Sequence, residues 1–245
     1  MFKLIIFDFD GPILDSLKRS KNSVLQGRKL LIKKGVPLKR VRITKETFIK
    51  YWGYPGHRTS ELMFPDLTKE ELTVITDCWV KNELKRKIPL VKGTLKTLKN
   101  LKRKGFFTAI LTMRSRNLGF HFKNYPLENL FDIVQSRSPY TGQSELERVR
   151  GNHIFCSHHK PNPNVLNPIL KWTAGKGISK KEMILIDDTL VGLETARRNK
   201  IAFLGVCTGP LNSKEKWQKY GNLPGRDVIK SIAELPKWLK ENMRP

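Results

Sequence analysis

The sequence KLIIFDFDG at residues 3–11 decides the fold class. Its first half is a short, nearly continuous apolar run, which is typical of a strand buried on both faces of a parallel sheet. Asp8 and Asp10 stand where this run ends, and a glycine turn begins at Gly11. Because side chains alternate along a strand, we expect both carboxylates on the same side. The stretch therefore predicts a buried strand that brings two acids to one edge of a sheet.

Further apolar runs of the same kind occupy residues 106–112, 131–134, 183–186 and 201–206. Helical patterns lie between several of them. Residues 94–104 carry leucines at a spacing of three and end at Gly105, a residue typical of helix carboxyl termini. Residues 190–200 form a second pattern, preceded by a possible cap at Thr189. Strands that alternate with helices predict an α/β fold with a doubly wound, Rossmann-like parallel sheet.

The first two predicted strands are separated by far more chain than a crossover connection needs. Residues 16–90 have a mostly helical pattern, with breaks near residues 35–37, 53–56 and at Pro65. We interpret this segment as an inserted α-helical cap domain. Residues 1–15 and 91–245 then form the α/β core.

The chain has 245 residues, and 39% of them are hydrophobic. This composition allows a buried core and argues against disorder of the whole chain. No apolar run approaches the ~20 residues that a membrane-spanning helix needs. The apolar run at the amino terminus is shorter than the core of a signal peptide and lacks a small-residue cleavage site. We therefore expect a soluble, cytoplasmic protein without a membrane partner.

The formal net charge of +25 implies attraction to anions. Basic residues are densest between Lys18 and Lys50, where Glu46 is the only acid. A generally basic, solvated surface explains this density and is favoured over a specific polyanion site. Nucleic acid or nucleotide binding stays an alternative, although no recognition motif for nucleic acid occurs in the chain.

A second acidic pair, Asp187 and Asp188, directly follows the apolar run at residues 184–186. The carboxyl ends of parallel strands meet at one crevice, so this pair is expected near Asp8 and Asp10. Neighbouring carboxylates repel one another unless a cation or a proton shares the site. A hard divalent cation with oxygen ligands, magnesium above all, meets this requirement. The sequence therefore predicts a Mg²⁺ site at this edge of the sheet.

Four motifs together resemble those of the haloacid dehalogenase superfamily. They are DFDGPILDS at residues 8–16, Thr112 in AILTMR, Lys160 in KPNP, and IDDT at residues 186–189. The resemblance covers nearly the whole chain and is strongest to the branch of phosphoglycolate phosphatases and beta-phosphoglucomutases, which carries a helical cap. It implies the fold expected above and a phosphoric monoester hydrolase activity.

The resemblance also implies a role for each acid. Asp8 is the nucleophile and a metal ligand. Asp10 is the general acid/base and offers its backbone carbonyl to the metal. Asp188 is a metal ligand in the register set by Thr189. Asp187 occupies the usual glycine position of the family, so Asp187 and Thr189 are expected just outside the metal ligands.

Phosphate binding is implied for Thr112 and Lys160, whose hydroxyl and ammonium groups would hold phosphoryl oxygens. Gly11, Met113 and Arg114 are expected to contact the substrate beside them. The chain departs from the family pattern at Pro12, where threonine is usual, and at Gly192, where many relatives carry a second acid. A polar segment at residues 137–152 is a further departure, and its role stays open.

These roles imply a Mg²⁺-dependent phosphatase that hydrolyses a small phosphorylated metabolite through an aspartyl-phosphate on Asp8. The cap would select the substrate, with His57 and Arg58 as candidate binding residues. Trp52 and Trp79 are expected in the cap core rather than in a stacking platform. Two alternatives stay open: a phosphomutase with the same intermediate, and a basic nucleotide- or nucleic-acid-binding protein with 5′- or 3′-phosphatase activity.

Overall fold

Seven parallel strands form one sheet in the computed structural model, which describes residues 1–85, 87–114, 118–137, 149 and 152–242. The strand order is β4-β3-β2-β1-β5-β6-β7. The strands are β1 (Leu4–Phe7), β2 (Phe107–Leu111), β3 (Ile133–Arg137), β4 (His153–Cys156), β5 (Met183–Asp187), β6 (Ala202–Val206) and β7 (Val228–Ile229). The predicted parallel α/β sheet is confirmed.

The central strand β1 sets the position of the crevice. It pairs with β2 on one side and with β5 on the other, so the strand order reverses direction here. Phe7 lies level with Ile110 and Ile186. Asp8 continues this register, since its amide donates to the carbonyl of Ile186 at 2.9 Å. The acids after β1 and β5 therefore emerge side by side at a switch point, where ligands bind in sheets of this type.

Helices cover both faces of the sheet. They are α5 (Thr94–Arg103), α6 (Leu118–Asn124), α7 (Asn167–Ala174), α8 (Leu190–Asn199), α9 (Lys214–Gly221) and α10 (Leu235–Asn242). Ile5 and Phe7 pack with Leu98 of α5 in one apolar cluster. Leu4 and Ile6 pack with Ile169 of α7 in another cluster. Because both faces of β1 are covered in this way, all four residues of the strand are apolar.

Both predicted helix boundaries in the core have a local cause. Helix α5 ends at Arg103, and Gly105 adopts a φ of 77° that other residues avoid. Helix α8 begins after Thr189, whose side-chain oxygen accepts a hydrogen bond from the amide of Gly192 at 3.0 Å. Strands β4 and β7 were not predicted, because β4 has only four residues within a histidine-rich stretch and β7 has only two residues.

Between β1 and α5 the described residues form four α-helices, namely α1 (Leu17–Lys33), α2 (Lys45–Tyr51), α3 (Gly56–Met63) and α4 (Lys69–Lys85). They share an apolar cluster of their own, which includes Leu31, Trp52 and Ile75. The chain leaves and re-enters the sheet region at one place, where the amide of Asp15 donates to Pro89 and that of Val91 donates to Ile13, both at 2.9 Å. None of the helices that the structure describes is long and apolar enough to span a bilayer.

Candidate active site

Lys160 joins acids at the carboxyl ends of β1 and β5. Its ammonium group donates to Asp8 Oδ1 at 2.8 Å and to Asp187 Oδ2 at 2.7 Å. Only 2% of the lysine side chain is exposed. Burial alone would lower the pKa of Lys160, but the charges of Asp187 and Asp8 outweigh it and raise that pKa above its ordinary value. The lysine is therefore a fixed cation between two carboxylates.

Three buried carboxylates form a cluster that is suited to a metal ion. Asp8, Asp187 and Asp188 each offer an oxygen, and these oxygens lie within 4.8 Å of one another. Burial, followed by the repulsion of Asp187 and Asp10, raises the pKa of Asp8 to about 7, although Lys160 opposes the rise. Burial and the same kind of repulsion raise the pKa of Asp188. One lysine does not neutralise three acids, so the cluster favours an additional cation.

The surroundings of Asp188 support this assignment. Its Oδ1 is buried and has no hydrogen-bond partner among the described residues. A Cβ at Gly11 would lie 2.2 Å from Asp188 Cγ, and one at Gly209 would lie 1.9 Å from its Oδ2. The two glycines therefore leave room for the carboxylate. A buried, unsatisfied oxygen among hard oxygen ligands fits Mg²⁺.

Asp10 points its carboxylate to a different partner. Arg114 holds it with two hydrogen bonds, from Nε to Oδ2 at 2.6 Å and from Nη2 to Oδ1 at 2.7 Å. Burial alone would raise the pKa of Asp10, but the charge and hydrogen bonds of Arg114, with smaller contributions from Ser16 and His121, together outweigh it and lower that pKa. The Asp10 carboxylate is not part of the three-acid cluster. Any metal contact of Asp10 through its backbone carbonyl stays a prediction.

Several residues that were predicted to contact phosphate or substrate form hydrogen bonds with one another or with their neighbours. Thr112 is buried, and its Oγ1 accepts a hydrogen bond from the amide of Arg114 at 3.2 Å. Met113 Sδ accepts from the amide of Lys160 at 3.2 Å. Gly11 donates its amide to the carbonyl of Leu14 at 2.8 Å. Arg114 therefore contacts Asp10 through its side chain, and Gly11 mainly makes space for Asp188.

A cavity of about 410 Å³ opens above these groups. Its core side includes Asp8, Asp10 and Thr112, and its helical side includes Trp52, His57 and Trp79. The two tryptophan rings stack with centroids 5.3 Å apart, and both belong to the apolar cluster of α1–α4. They are therefore part of the packing of the helical segment, as expected, and also line the cavity.

The two cap residues predicted to contact substrate have different environments. His57 lines the cavity. Arg58 does not line it, and its Nη1 donates to Glu61 Oε2 at 2.9 Å with nearly half of the arginine side chain exposed. Arg137 at the end of β3 lines the cavity instead, with its Nη1 3.3 Å from Nδ1 of His57.

The sequence model of haloacid dehalogenase-like hydrolases matches residues 5–146. The chain belongs to this family. The resemblance inferred from the four motifs is thereby confirmed, as is the expectation of an enzyme of this hydrolase class. No curated protein has a sequence that matches the chain.

Solved structures of other proteins share the fold over almost the whole chain. A predicted phosphatase from Clostridium acetobutylicum is 20% identical, with a TM-score of 0.69, and the match covers 98% of this chain and 99% of that one. A predicted phosphoglycolate phosphatase from Haemophilus somnus is 19% identical, with a TM-score of 0.65 and coverages of 96% and 97%. A candidate beta-phosphoglucomutase from Bacteroides vulgatus is 20% identical, with a TM-score of 0.64 and coverages of 100% and 91%.

Two residues of this haloacid dehalogenase-like hydrolase were missed from the sequence. Arg137 is the last residue of β3, at the edge of the sheet that lines the cavity. Its position at the end of a strand could have indicated from the sequence that it lies near the site. His121 on α6 is fully buried, and its Nε2 lies 3.4 Å from Arg114 Nη1. Burial and the charge of Arg114 lower the pKa of His121 to about 4. No sequence pattern indicated that this histidine supports the arginine.

The polar segment at residues 137–152 was predicted to depart from the family pattern. Most of this segment lies outside the described residues.

Proposed function

We propose that the chain is a Mg²⁺-dependent phosphatase that hydrolyses a small phosphate monoester, with Asp8 as its nucleophile. The observation that carries the proposal is the position of Asp8 at the floor of the cavity, between the Lys160 ammonium and the buried carboxylate Asp188. We propose the catalytic core at residues 1–15 and 91–245 and the cap at residues 16–90. The cap would close the cavity and exclude water.

Asp8 would attack phosphorus with a carboxylate oxygen, and the bond from phosphorus to the ester oxygen would break. The nucleophile has to be ionised for this step. Lys160 favours the ionised form, since it lies 2.8 Å from Asp8 Oδ1. Asp8, Asp188 and the backbone carbonyl of Asp10 would hold Mg²⁺, which supplies positive charge to the phosphoryl oxygens. Asp187 would keep Lys160 in place.

Asp10 would donate a proton to the leaving oxygen and later take one from the attacking water. The water oxygen would bond to phosphorus as the bond from phosphorus to Asp8 breaks, which would release inorganic phosphate and restore the Asp8 carboxylate. The bidentate contact with Arg114 favours the carboxylate form, which suits the second step. The first step needs the protonated form, so the hydrogen bonds from Arg114 to Asp10 would have to weaken when substrate binds. A negatively charged phosphoryl group near Arg114 would compete with Asp10 for the guanidinium.

The test is phosphate release from a panel of small phosphate esters, including p-nitrophenyl phosphate, with Mg²⁺ and with a chelator. The unaltered chain should release phosphate only with the metal. Asp8→Asn should be inactive while it keeps the melting temperature of the unaltered chain within a few degrees. A folded Asp8→Asn protein with full activity would exclude Asp8 as the nucleophile.

A phosphomutase would form the same aspartyl-phosphate and pass the phosphoryl group to a sugar phosphate. The fold similarity to a candidate beta-phosphoglucomutase is compatible with this alternative. Hexose phosphate isomerisation without net phosphate release, in the same panel, would favour it. The third alternative, a phosphatase that acts on nucleic acid, gains no support from the comparisons.

A further inference from the structure

We propose that His121 is a positioning residue that holds the Arg114 guanidinium at the edge of the cavity, both when Arg114 binds Asp10 and when a phosphoryl group competes for it. The inference rests on the function proposed above, and it concerns how the Asp10 carboxylate is held and released. His121 belongs to none of the four motifs. It does not line the cavity itself, and its contact with Arg114 connects it to the site.

The guanidinium of Arg114 has two sides with different partners. Nε and Nη2 donate the two hydrogen bonds to the Asp10 carboxylate, at 2.6 and 2.7 Å. The other terminal nitrogen, Nη1, lies 3.4 Å from Nε2 of His121. A guanidinium has only N–H donors, so Nε2 has to be the acceptor and carries no proton in this contact. His121 therefore contacts the arginine on the side that Asp10 does not occupy.

The imidazole of His121 is uncharged at neutral pH. Burial and then the positive charge of Arg114 lower the pKa of His121 to about 4, although Asp10 opposes this effect. The ring can therefore accept a hydrogen bond from the guanidinium without placing a negative charge beside it. A carboxylate at this position would compete with Asp10, and with a phosphoryl group, for the arginine. A neutral acceptor holds Arg114 in place and leaves its charge available to either partner.

The place of His121 in α6 makes this contact rigid. The histidine is fully buried, and its ring centroid lies 6.1 Å from that of Phe9 and 5.4 Å from that of Phe120. Leu118 and Phe122 of the same helix belong to the apolar cluster that contains Phe9. Nδ1 of His121 is buried and has no hydrogen-bond partner among the described residues. An apolar side chain would fill this space without that cost, so packing alone does not explain a histidine here.

The first test reads the tautomer of His121 by NMR, in the full chain labelled with ¹⁵N at histidine. At neutral pH the ring should carry its proton on Nδ1 and leave Nε2 unprotonated, and its resonances are assigned by their loss in His121→Gln. In Arg114→Met the pKa of His121 should rise, because the charge of the arginine lowers it in the unaltered chain. A proton on Nε2 in the unaltered chain would overturn the proposal, since that nitrogen could not accept from Arg114.

The second test measures kcat/KM for p-nitrophenyl phosphate with Mg²⁺. His121→Leu should lower it about 3- to 30-fold, and His121→Gln, which keeps an acceptor, should recover most of the loss. In an Arg114→Met background, His121→Leu should have little further effect, because the group that it positions is gone. Phe122→Leu is the control for altered packing of the same helix, since Phe122 is buried and stacks on Phe9 at 5.8 Å. It should lower the melting temperature and change kcat/KM less than ~3-fold in either background.

An equal loss from His121→Leu with and without the Arg114 side chain would overturn the proposal, because the histidine would then act through packing. If His121→Leu fails to fold, His121→Asn takes its place, since the shorter amide does not extend as far as Nε2. A chain that releases no phosphate from any ester would reject the proposed phosphatase. The tautomer and the pKa of His121 would still decide whether the histidine holds Arg114, so the two failures are distinguishable.

Discussion

The carboxylate of Asp187 fills the space beside Gly192. A Cβ at position 192 would lie 2.0 Å from Asp187 Cγ, so a side chain there and an acid at 187 exclude each other. Many relatives were expected to carry an acid at position 192 and glycine at position 187. This chain has the reverse arrangement, and the structure gives its steric reason.

Gly192→Ala should therefore destabilise the protein, although alanine is normally the better helix former by about 1 kcal/mol. The clash with Asp187 should cost about 1–3 kcal/mol and disturb its contact with Lys160. Thermal unfolding measures the first effect and phosphate release the second. Gly175→Ala is the matched control, because its Cβ would meet only an ordinary contact at 3.7 Å. Adding Asp187→Gly should relieve the clash, and failure to recover any stability would contradict this account.

Asp8 should lower the stability of the metal-free protein as pH rises from about 4 to about 7, whereas the lowered pKa of His121 acts in the opposite direction over most of this window. Burial raises the pKa of Asp8 from 3.8 to about 7, so in this window the folded chain holds a proton that the unfolded chain has lost. Stability falls with pH wherever the folded state binds more protons. The raised pKa of Asp188 acts in the same direction. Urea unfolding at several pH values measures the slope.

Two comparisons make this prediction specific to Asp8. Asp8→Asn removes this titrating group and keeps His121 and Asp188, so the unaltered protein should lose stability relative to Asp8→Asn as pH rises from 4 to 7. Mg²⁺ should stabilise the unaltered protein more at pH 7 than at pH 5, because it binds the ionised carboxylates. An identical pH profile for the unaltered chain and Asp8→Asn would show that Asp8 is not the group responsible.

The sheet, the helical insertion and the acidic edge could be predicted from the sequence, because each has a strong local signal. Buried parallel strands are continuous apolar runs, and the acids at 8, 10, 187 and 188 directly follow two of them. Contacts between distant residues were harder to predict. Neither the Arg114–Asp10 pair nor the Arg137–His57 contact follows from local sequence, since each depends on how separate elements pack.

Replacing Arg114 should shift the pH dependence of catalysis. The charge and hydrogen bonds of Arg114 are the main opposition to burial, which alone would raise the pKa of Asp10, and that pKa lies below its ordinary value. In Arg114→Met, the limb of the kcat/KM profile that reports Asp10 should move to higher pH. That limb is identified as the one absent from Asp10→Asn. An unshifted limb in Arg114→Met would mean that the guanidinium does not set the protonation of Asp10.

Thr189 should matter more than an ordinary helix cap, because its hydroxyl makes two contacts. Thr189 Oγ1 accepts from the amide of Gly192 at 3.0 Å and donates to Asp187 Oδ1 at 2.7 Å. Thr189→Ala should cost about 1–2 kcal/mol for the lost cap. It should also reduce phosphate release, since Asp187 loses a group that orients it toward Lys160.

Thr189→Ser keeps the hydroxyl and serves as the control, with stability and activity expected near those of the unaltered protein. The comparison separates the two contacts, because Thr189→Asn can cap the helix but, through its amide, holds Asp187 with altered geometry. We expect Thr189→Asn to recover stability without recovering full activity. Equal recovery of both by asparagine would show that the hydroxyl acts on the helix alone and that Asp187 needs no orientation from it.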